Sequence, residues 1–172
     1  MQDLNLSVAD LLGRPGEHRD FTIAPVLTEV RNALARLGSR PIHGDLRAES
    51  VVEGILITGR VDAGADFECA RCLASFEVPI SLELCELFVA PGHEGPSDED
   101  TYKVSAKEVH LEPMLRDAIT LALPLNPICR EDCAGLCGGC GRNLNTDACI
   151  CRHEETDPRW AELTVLRERL QG

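Results

Sequence analysis

The sequence predicts an α+β fold, in which a curved antiparallel sheet or small barrel carries packed helices and is followed by a cysteine-rich carboxy-terminal module. Three observations predict it. Apolar and polar residues alternate over residues 42–90, apolar residues recur at helical spacing on both sides of that stretch, and six of the nine cysteines fall between Cys129 and Cys151. The 172 residues match the length of one ordinary domain and can bury a sizeable core.

The amino-terminal residues 1–41 contain one predicted helix. A short alternating segment from Leu4 to Val8 leads into a loop containing Gly and Pro at residues 13–16. From Val26 to Leu37 apolar residues recur at helical spacing, with a proline before them and a glycine after them. This pattern predicts a short amphipathic helix.

Residues 42–90 have the period of strands. Ile55, Ile57 and Val61 alternate with more polar neighbours, which predicts two or three antiparallel strands in this region. The clearest strand is the run from residue 76 to residue 90, whose apolar residues share one parity. Its length predicts a bend or bulge, either at Pro79 or at residues 86–87.

The remaining elements are a loop and two helices. Residues 91–107 are polar and acidic, which predicts a solvated loop. Apolar residues from Leu111 to Ala122 predict a helix with Pro113 near its first turn and Pro124 past its end. A last helix is predicted after Asp157-Pro158, with an apolar stripe formed by Leu163, Leu166 and Leu170. We divide the chain at residues 1–128 and 129–172 and expect the two parts to pack as one domain.

Charge and hydropathy exclude several classes of protein. The 17 Lys and Arg residues against 29 Asp and Glu residues give a net charge of -12, which argues against a protein that coats nucleic acid without sequence preference. A small local basic patch stays possible. No apolar run approaches the roughly 18 residues of a membrane span, and the first residues lack the features of a secretion signal. We therefore expect a cytoplasmic protein without membrane association, in which the cysteine thiols bind metals or take part in catalysis.

Eight of the cysteines form four short pairs, and Cys137-Gly138-Gly139-Cys140 has the form of a zinc knuckle. The spacing lets both sulfurs of a knuckle reach one ion, and the glycines let the backbone fold round it. Eight thiolates suit two tetrahedral structural zinc sites. We assign one site to Cys137, Cys140, Cys149 and Cys151, and the other to Cys69, Cys72, Cys129 and Cys133. Interleaved and single-site arrangements stay open at this point.

The other candidate groups have weaker patterns. Cys85 stands alone on a strand, and we interpret it as a packing residue. His153 is a reserve ligand because it lies two residues beyond Cys151. A redox pair at Cys69 and Cys72 requires a strand-to-helix transition, whereas strand-like sequence follows Cys72. The motif of a zinc deaminase fails because three residues, and not two, separate Cys129 from Cys133.

The order of these motifs is similar to that of the YceD-like family. The resemblance rests on the segments at residues 68–73, 121–125, 129–145, 149–151 and 157–163, of which 129–145 is the most specific. It implies a role in the accumulation of 23S ribosomal RNA, and hence in the biogenesis of the large ribosomal subunit, without an established enzymatic activity. It implies metal binding for the eight paired cysteines and no catalytic residue.

Two kinds of partner fit this role. A 23S rRNA precursor could bind a patch that brings together Arg71, Arg130, Arg142 and Arg152. A basic ribosomal protein could bind the acidic surface, and the net charge of -12 together with the scarcity of aromatic residues favours this second partner. We expect a non-enzymatic assembly factor with two structural zinc ions. The alternative is a thiol redox or zinc-dependent enzyme, and the sequence does not indicate the oligomeric state.

Overall fold

The computed structural model describes residues 4–28, 30–38, 40–93, 101–151, 163 and 169. The chain divides into two compact units. The first comprises residues 1–70 and 74–131, and the second comprises residues 71–73 and 132–172. The strands and the helix with defined bounds all lie in the first unit.

The described part of the first unit contains eight strands and one helix. In chain order they are β1 (Asn5–Ser7), β2 (His18–Ile23), β3 (Ala35–Leu37), β4 (His43–Ser50), β5 (Gly54–Glu68), β6 (Ser75–Val89), β7 (Tyr102–Lys103), β8 (Glu108–His110) and α1 (Leu111–Ala122). The larger sheet has the order β2-β4-β5-β6-β7, and β3 pairs with the end of β5 beyond β4. The smaller sheet consists of β1 and β8.

The central feature of the larger sheet is the hairpin of β5 and β6. Each strand has 15 residues, and their antiparallel pairing runs without interruption from Gly54 opposite Val89 to Glu68 opposite Ser75. The three antiparallel strands β4, β5 and β6 confirm the prediction for residues 42–90. The predicted bulge is wrong, because the register passes through Pro79 and residues 86–87 without a slip.

Alternation along β5 places the core on one face of this sheet. Ile55, Ile57 and Val61 are fully buried, whereas Arg60 and Asp62 are exposed on the other face. Along β6, Leu84 and Phe88 face the same core. Cys85 has the opposite parity and is exposed, so its interpretation as a packing residue is wrong.

Helix α1 packs its apolar face against the core and confirms the helix predicted over residues 111–122. Its buried side chains are Leu111, Met114, Leu115 and Ile119, which recur at the spacing of one helical face. Arg116 lies on the other side, where it contacts Glu112 at 2.8 Å and donates to the backbone oxygen of Thr28 at 2.6 Å. The helix is thereby attached to the segment before β3.

The helix predicted from Val26 to Leu37 is wrong. In its place the chain forms a tight turn, in which the side chain of Asn32 accepts hydrogen bonds from the N–H groups of Leu34 and Ala35 at 3.0 and 2.8 Å. Leu37 then donates to the Val30 oxygen at 2.8 Å, and β3 pairs with β5. Asparagine offers the backbone a turn that competes with a helix, and the end of β5 supplies an unpaired strand edge.

The fold class is therefore mostly sheet. Within the described ranges there is one helix of defined bounds, and the two sheets do not close into a barrel, so the expected barrel and set of packed helices are not present there. The predicted last helix lies outside the described residues, apart from Leu163 and Arg169. Of the residues described, no helix combines the length and the apolar character that crossing a membrane requires.

Candidate metal centres

Cys69 and Cys72 lie in the loop that joins β5 to β6. The Cys69 N–H donates to the Ala74 oxygen at 3.0 Å and closes the loop, and Leu73 has a φ of 58° within it. The Ala70 N–H donates to the Pro127 oxygen at 2.8 Å, so the segment after α1 is held against this loop. Both cysteines are buried, at 0% and 5% exposure.

The segment after α1 brings Cys129 to the same place. Its N–H donates to the sulfur of Cys69 at 3.4 Å, a geometry that stabilises negative charge on that sulfur. The sulfur atoms of Cys69, Cys72, Cys129 and Cys133 all lie within 4.8 Å of one another. We call these four residues the first cysteine group.

Cys133 is positioned by contacts within the second unit. Its backbone oxygen accepts a hydrogen bond from the Arg71 guanidinium at 3.1 Å, and the Arg71 oxygen accepts one from the Leu136 N–H at 3.0 Å. The sulfur of Cys133 accepts a hydrogen bond from the side-chain amide of Asn145 at 3.4 Å.

Asn145 is a positioning residue that the sequence reasoning missed. Besides Cys133, it contacts the Ala134 N–H at 2.8 Å through its oxygen and the Asn143 side chain at 2.8 Å through its amide nitrogen. The signal available in the sequence is the Asn-x-Asn spacing directly after the knuckle. The structure explains this spacing, because the segment that carries Asn145 folds back onto residues 133–134.

The second cysteine group consists of Cys137, Cys140, Cys149 and Cys151, whose sulfur atoms also lie within 4.8 Å of one another. The knuckle is closed by two hydrogen bonds of 2.8 Å, from the Cys137 N–H to the Arg142 oxygen and from the Gly141 N–H to the Cys137 oxygen. Gly141 has a φ of 70°, a conformation that favours glycine. The Cys149 sulfur lies 3.2 Å from that of Cys137 and 3.7 Å from that of Cys140.

The electrostatics of the second group favour a cation. Hydrogen bonds from the Cys140 backbone, the Cys149 thiol and the Gly139 N–H lower the pKa of Cys137 to about 6. Contacts with the Cys149 and Cys140 thiols raise the pKa of Cys151 to about 12. One thiolate therefore forms readily, whereas further negative charge beside it is unfavourable unless a cation compensates it.

Both groups fit a tetrahedral metal ion through their donor chemistry. Four sulfurs at about 2.3 Å from a central zinc ion are separated from one another by about 3.8 Å. The sulfurs of Cys140 and Cys149 are 3.7 Å apart, close to this value, and those of Cys137 and Cys149 are nearer, at 3.2 Å. None of the nine cysteines forms a disulfide. Four thiolates fill the coordination shell of zinc, which is typical of structural sites, whereas catalytic sites keep one position open.

Three of the four basic residues predicted to bind RNA lie in the described part of the chain. Arg71 and Arg142 are exposed in the second unit, and Arg130 is exposed in the first. Arg71 is engaged with Cys133, as described above. Arg152 and the reserve ligand His153 lie outside the described residues.

The motifs also match a known family. Residues 57–167 match the family model described as Large ribosomal RNA subunit accumulation protein YceD. The chain belongs to the YceD family. The matched range contains both cysteine groups and the whole β5–β6 hairpin except its first residues.

Relatives of this YceD protein include several from mycobacteria. An uncharacterized protein of Mycobacterium tuberculosis is 43% identical over 125 residues, which are 71% of this chain and 60% of the relative. An uncharacterized protein of Mycobacterium leprae is 37% identical over 145 residues, 78% of this chain and 66% of the relative. The chain thus spans about 60% of the length of the first of these relatives.

A plant protein matches a shorter part of the chain. The chloroplastic Large ribosomal RNA subunit accumulation protein YCED homolog 1 of Zea mays is 38% identical over 52 residues, 30% of this chain and 18% of the relative. No solved structure matches the YceD chain significantly.

Proposed function

We propose that this YceD protein is a non-enzymatic factor in the biogenesis of the large ribosomal subunit, which acts by binding in the cytoplasm and promotes the accumulation of 23S rRNA. The observation that carries the proposal is the family match over residues 57–167, whose description names accumulation of the large ribosomal RNA. The name of the maize relative supports the same role.

We propose a basic ribosomal protein as the direct partner, with a 23S rRNA precursor as the alternative. The net charge of -12 supports a basic partner, because RNA binding draws most of its affinity from Lys and Arg. The exposed face of the larger sheet carries acidic residues on three successive strands, among them Asp45 on β4, Asp62 on β5 and Glu83 on β6. Opposite charge on a partner would increase the rate of encounter.

We propose one structural zinc ion in each cysteine group. The first group would hold its ion with Cys69, Cys72, Cys129 and Cys133, and the second with Cys137, Cys140, Cys149 and Cys151. A zinc ion supplies cross-links between loops that bury little apolar surface. In the described part of the second unit the buried side chains are those of Cys72, Cys133 and Cys137, so an ion would replace a hydrophobic core there.

Two observations support binding over thiol or zinc catalysis. The pair Cys69 and Cys72 lies in a turn between two strands, not at the start of a helix, where redox pairs have their activated thiolate. Four thiolates in each cysteine group would fill the coordination shell of a zinc ion and leave no position open for a substrate.

Copurification at moderate salt tests the proposal. We expect the tagged protein to retain large-subunit ribosomal proteins or 23S rRNA precursors, and their absence from the retained fraction would contradict it. Nuclease treatment before elution distinguishes the partners, because a protein partner survives it. The variant Arg130→Ala/Arg142→Ala would reduce retention only if RNA is the direct partner, and Arg14→Ala/Arg36→Ala removes the same charge elsewhere as a control.

A further inference from the structure

The long strand β6 has a free edge. On one side it pairs with β5 along its whole length, and on the other side it pairs with β7 at Phe88 and Val89 only. In the part of the chain that the structure describes, no strand pairs with residues 75–87 on that second side. An edge of this length is a template for an additional strand.

The hydrogen bonds at the end of β6 show which backbone groups face the free edge. The Val89 oxygen accepts from the Val104 N–H at 2.9 Å on the side of β7, whereas the Ala90 N–H donates to the Glu53 oxygen at 2.9 Å on the side of β5. Because strand backbones alternate, the odd-numbered residues of β6 direct their N–H and C=O groups to the free edge. Pro79 is odd-numbered, and its missing N–H therefore costs no bond to β5.

The side chains along this edge favour a basic occupant. Glu83 is exposed and has no ion pair with any residue of the described ranges, since Arg60, its neighbour in register, contacts Asp62 at 3.3 Å. On the opposite face of the strand, Ile80 and Leu82 are only partly buried although they pack against the core. An added strand would meet Glu83 on one face and Ile80 and Leu82 on the other, up to the point where Glu86 and Leu87 reverse this order.

We propose that the edge from Ser81 to Leu87 binds an extended protein segment in which basic and apolar residues alternate, and that this segment adds to the sheet as a strand beside β6. Main-chain hydrogen bonds to the odd-numbered residues supply affinity, and the alternating side chains supply specificity. The inference rests on the proposed function, because it states how a basic protein partner of the assembly factor is bound.

Hydrogen exchange with a defined peptide tests the edge directly. The probe is an acetylated and amidated peptide of about seven residues in which lysine alternates with valine, and the matched control replaces lysine by glutamate. We expect the lysine peptide to bind the full chain and to slow exchange at the N–H groups of Glu83, Cys85 and Leu87. The N–H groups of Leu82 and Leu84 already pair with β5 and should change little.

Two substitutions at one position separate the backbone contribution from the charge. Glu83→Pro removes an edge donor and should weaken peptide binding at least about fivefold, whereas Glu83→Gln keeps the donor and should weaken it about threefold. Asp45→Asn removes an exposed acid on β4, away from the edge, and should have a smaller effect. If Glu83→Pro does not fold, the exchange pattern of the unsubstituted protein alone shows whether the backbone of residues 81–87 binds the peptide.

Several outcomes would overturn the edge proposal. They are equal binding of the glutamate peptide, a footprint outside residues 81–87, or protection of the same N–H groups by a single-stranded RNA of about twelve nucleotides but not by the peptide. If the peptide fails while the protein still retains large-subunit components, only the edge proposal is wrong. Loss of that retention as well would contradict the proposed function.

Discussion

The backbone N–H of Cys129 donates a hydrogen bond to the sulfur of Cys69 over 3.4 Å, although 60 positions separate the two residues in the sequence. The contact joins the tip of the β5–β6 hairpin to the segment after α1. It also directs a donor at one of four clustered sulfurs, as is expected of ligands that carry negative charge. Metal content is therefore the first property to measure.

We expect the purified protein to contain about two zinc ions per chain. Cys69→Ser/Cys72→Ser and Cys140→Ser/Cys149→Ser should each reduce the content to about one, because each pair belongs to a different group. Cys85→Ser is the control and should leave the content unchanged. Elemental analysis of the desalted proteins makes the measurement, and zinc below one ion per chain in the unsubstituted protein would refute the assignment.

Metal removal should affect the second unit more than the first. All the residues of the hydrophobic core cluster lie in the first unit, whereas the buried side chains described in the second are cysteines. With a strong chelator present, we expect protease cleavage within residues 132–151 and an unchanged far-ultraviolet signal from the sheet. Equal cleavage with and without chelator would show that no metal holds these loops.

The strand alternation and the helix at residues 111–122 could be predicted because their periods reflect one buried face. Ile55, Ile57 and Val61 all face the core, as their spacing indicates. The turn at Asn32 could not be predicted, since the apolar residues of this segment recur at helical spacing. The side-chain hydrogen bonds of Asn32 and a strand edge supplied by β5, distant in sequence, form the turn in place of the helix.

In the two cysteine groups, too, some associations follow from the local sequence and others do not. Cys137 and Cys140 belong together through local spacing alone. The association of Cys69 with Cys129 depends on a hairpin of 15-residue strands and on the end point of a helix, which local patterns do not determine. Short edge strands such as β7, with two residues, have no periodicity that a sequence could reveal.

Helix α1 should contribute strongly to stability through Leu115. This side chain is fully buried, so Leu115→Ala should lower the free energy of unfolding by about 2–5 kcal/mol. Leu121 lies on the same helix at 85% exposure, and Leu121→Ala should change it by less than about 0.5 kcal/mol. Urea denaturation measures both, and similar losses would contradict the placement of the helix.

Gly59 allows β4 and β5 to approach closely. Its φ is 142°, and an added Cβ would lie 2.2 Å from the Asp45 oxygen and 2.8 Å from the Leu46 Cα. Gly59→Ala should therefore lower the free energy of unfolding by about 2 kcal/mol or more, because both obstacles are backbone atoms. Arg60→Ala, at the next and exposed position, should cost less than about 1 kcal/mol in the same denaturation experiment.

Depletion of the protein in its own host tests the proposed role most directly. We expect mature 23S rRNA and large ribosomal subunits to decrease relative to 16S rRNA and small subunits, and the unsubstituted gene to restore them. The variant Cys140→Ser/Cys149→Ser should restore them poorly, and Cys85→Ser should restore them fully. Unchanged 23S rRNA and large-subunit levels after depletion would contradict a function in large-subunit biogenesis.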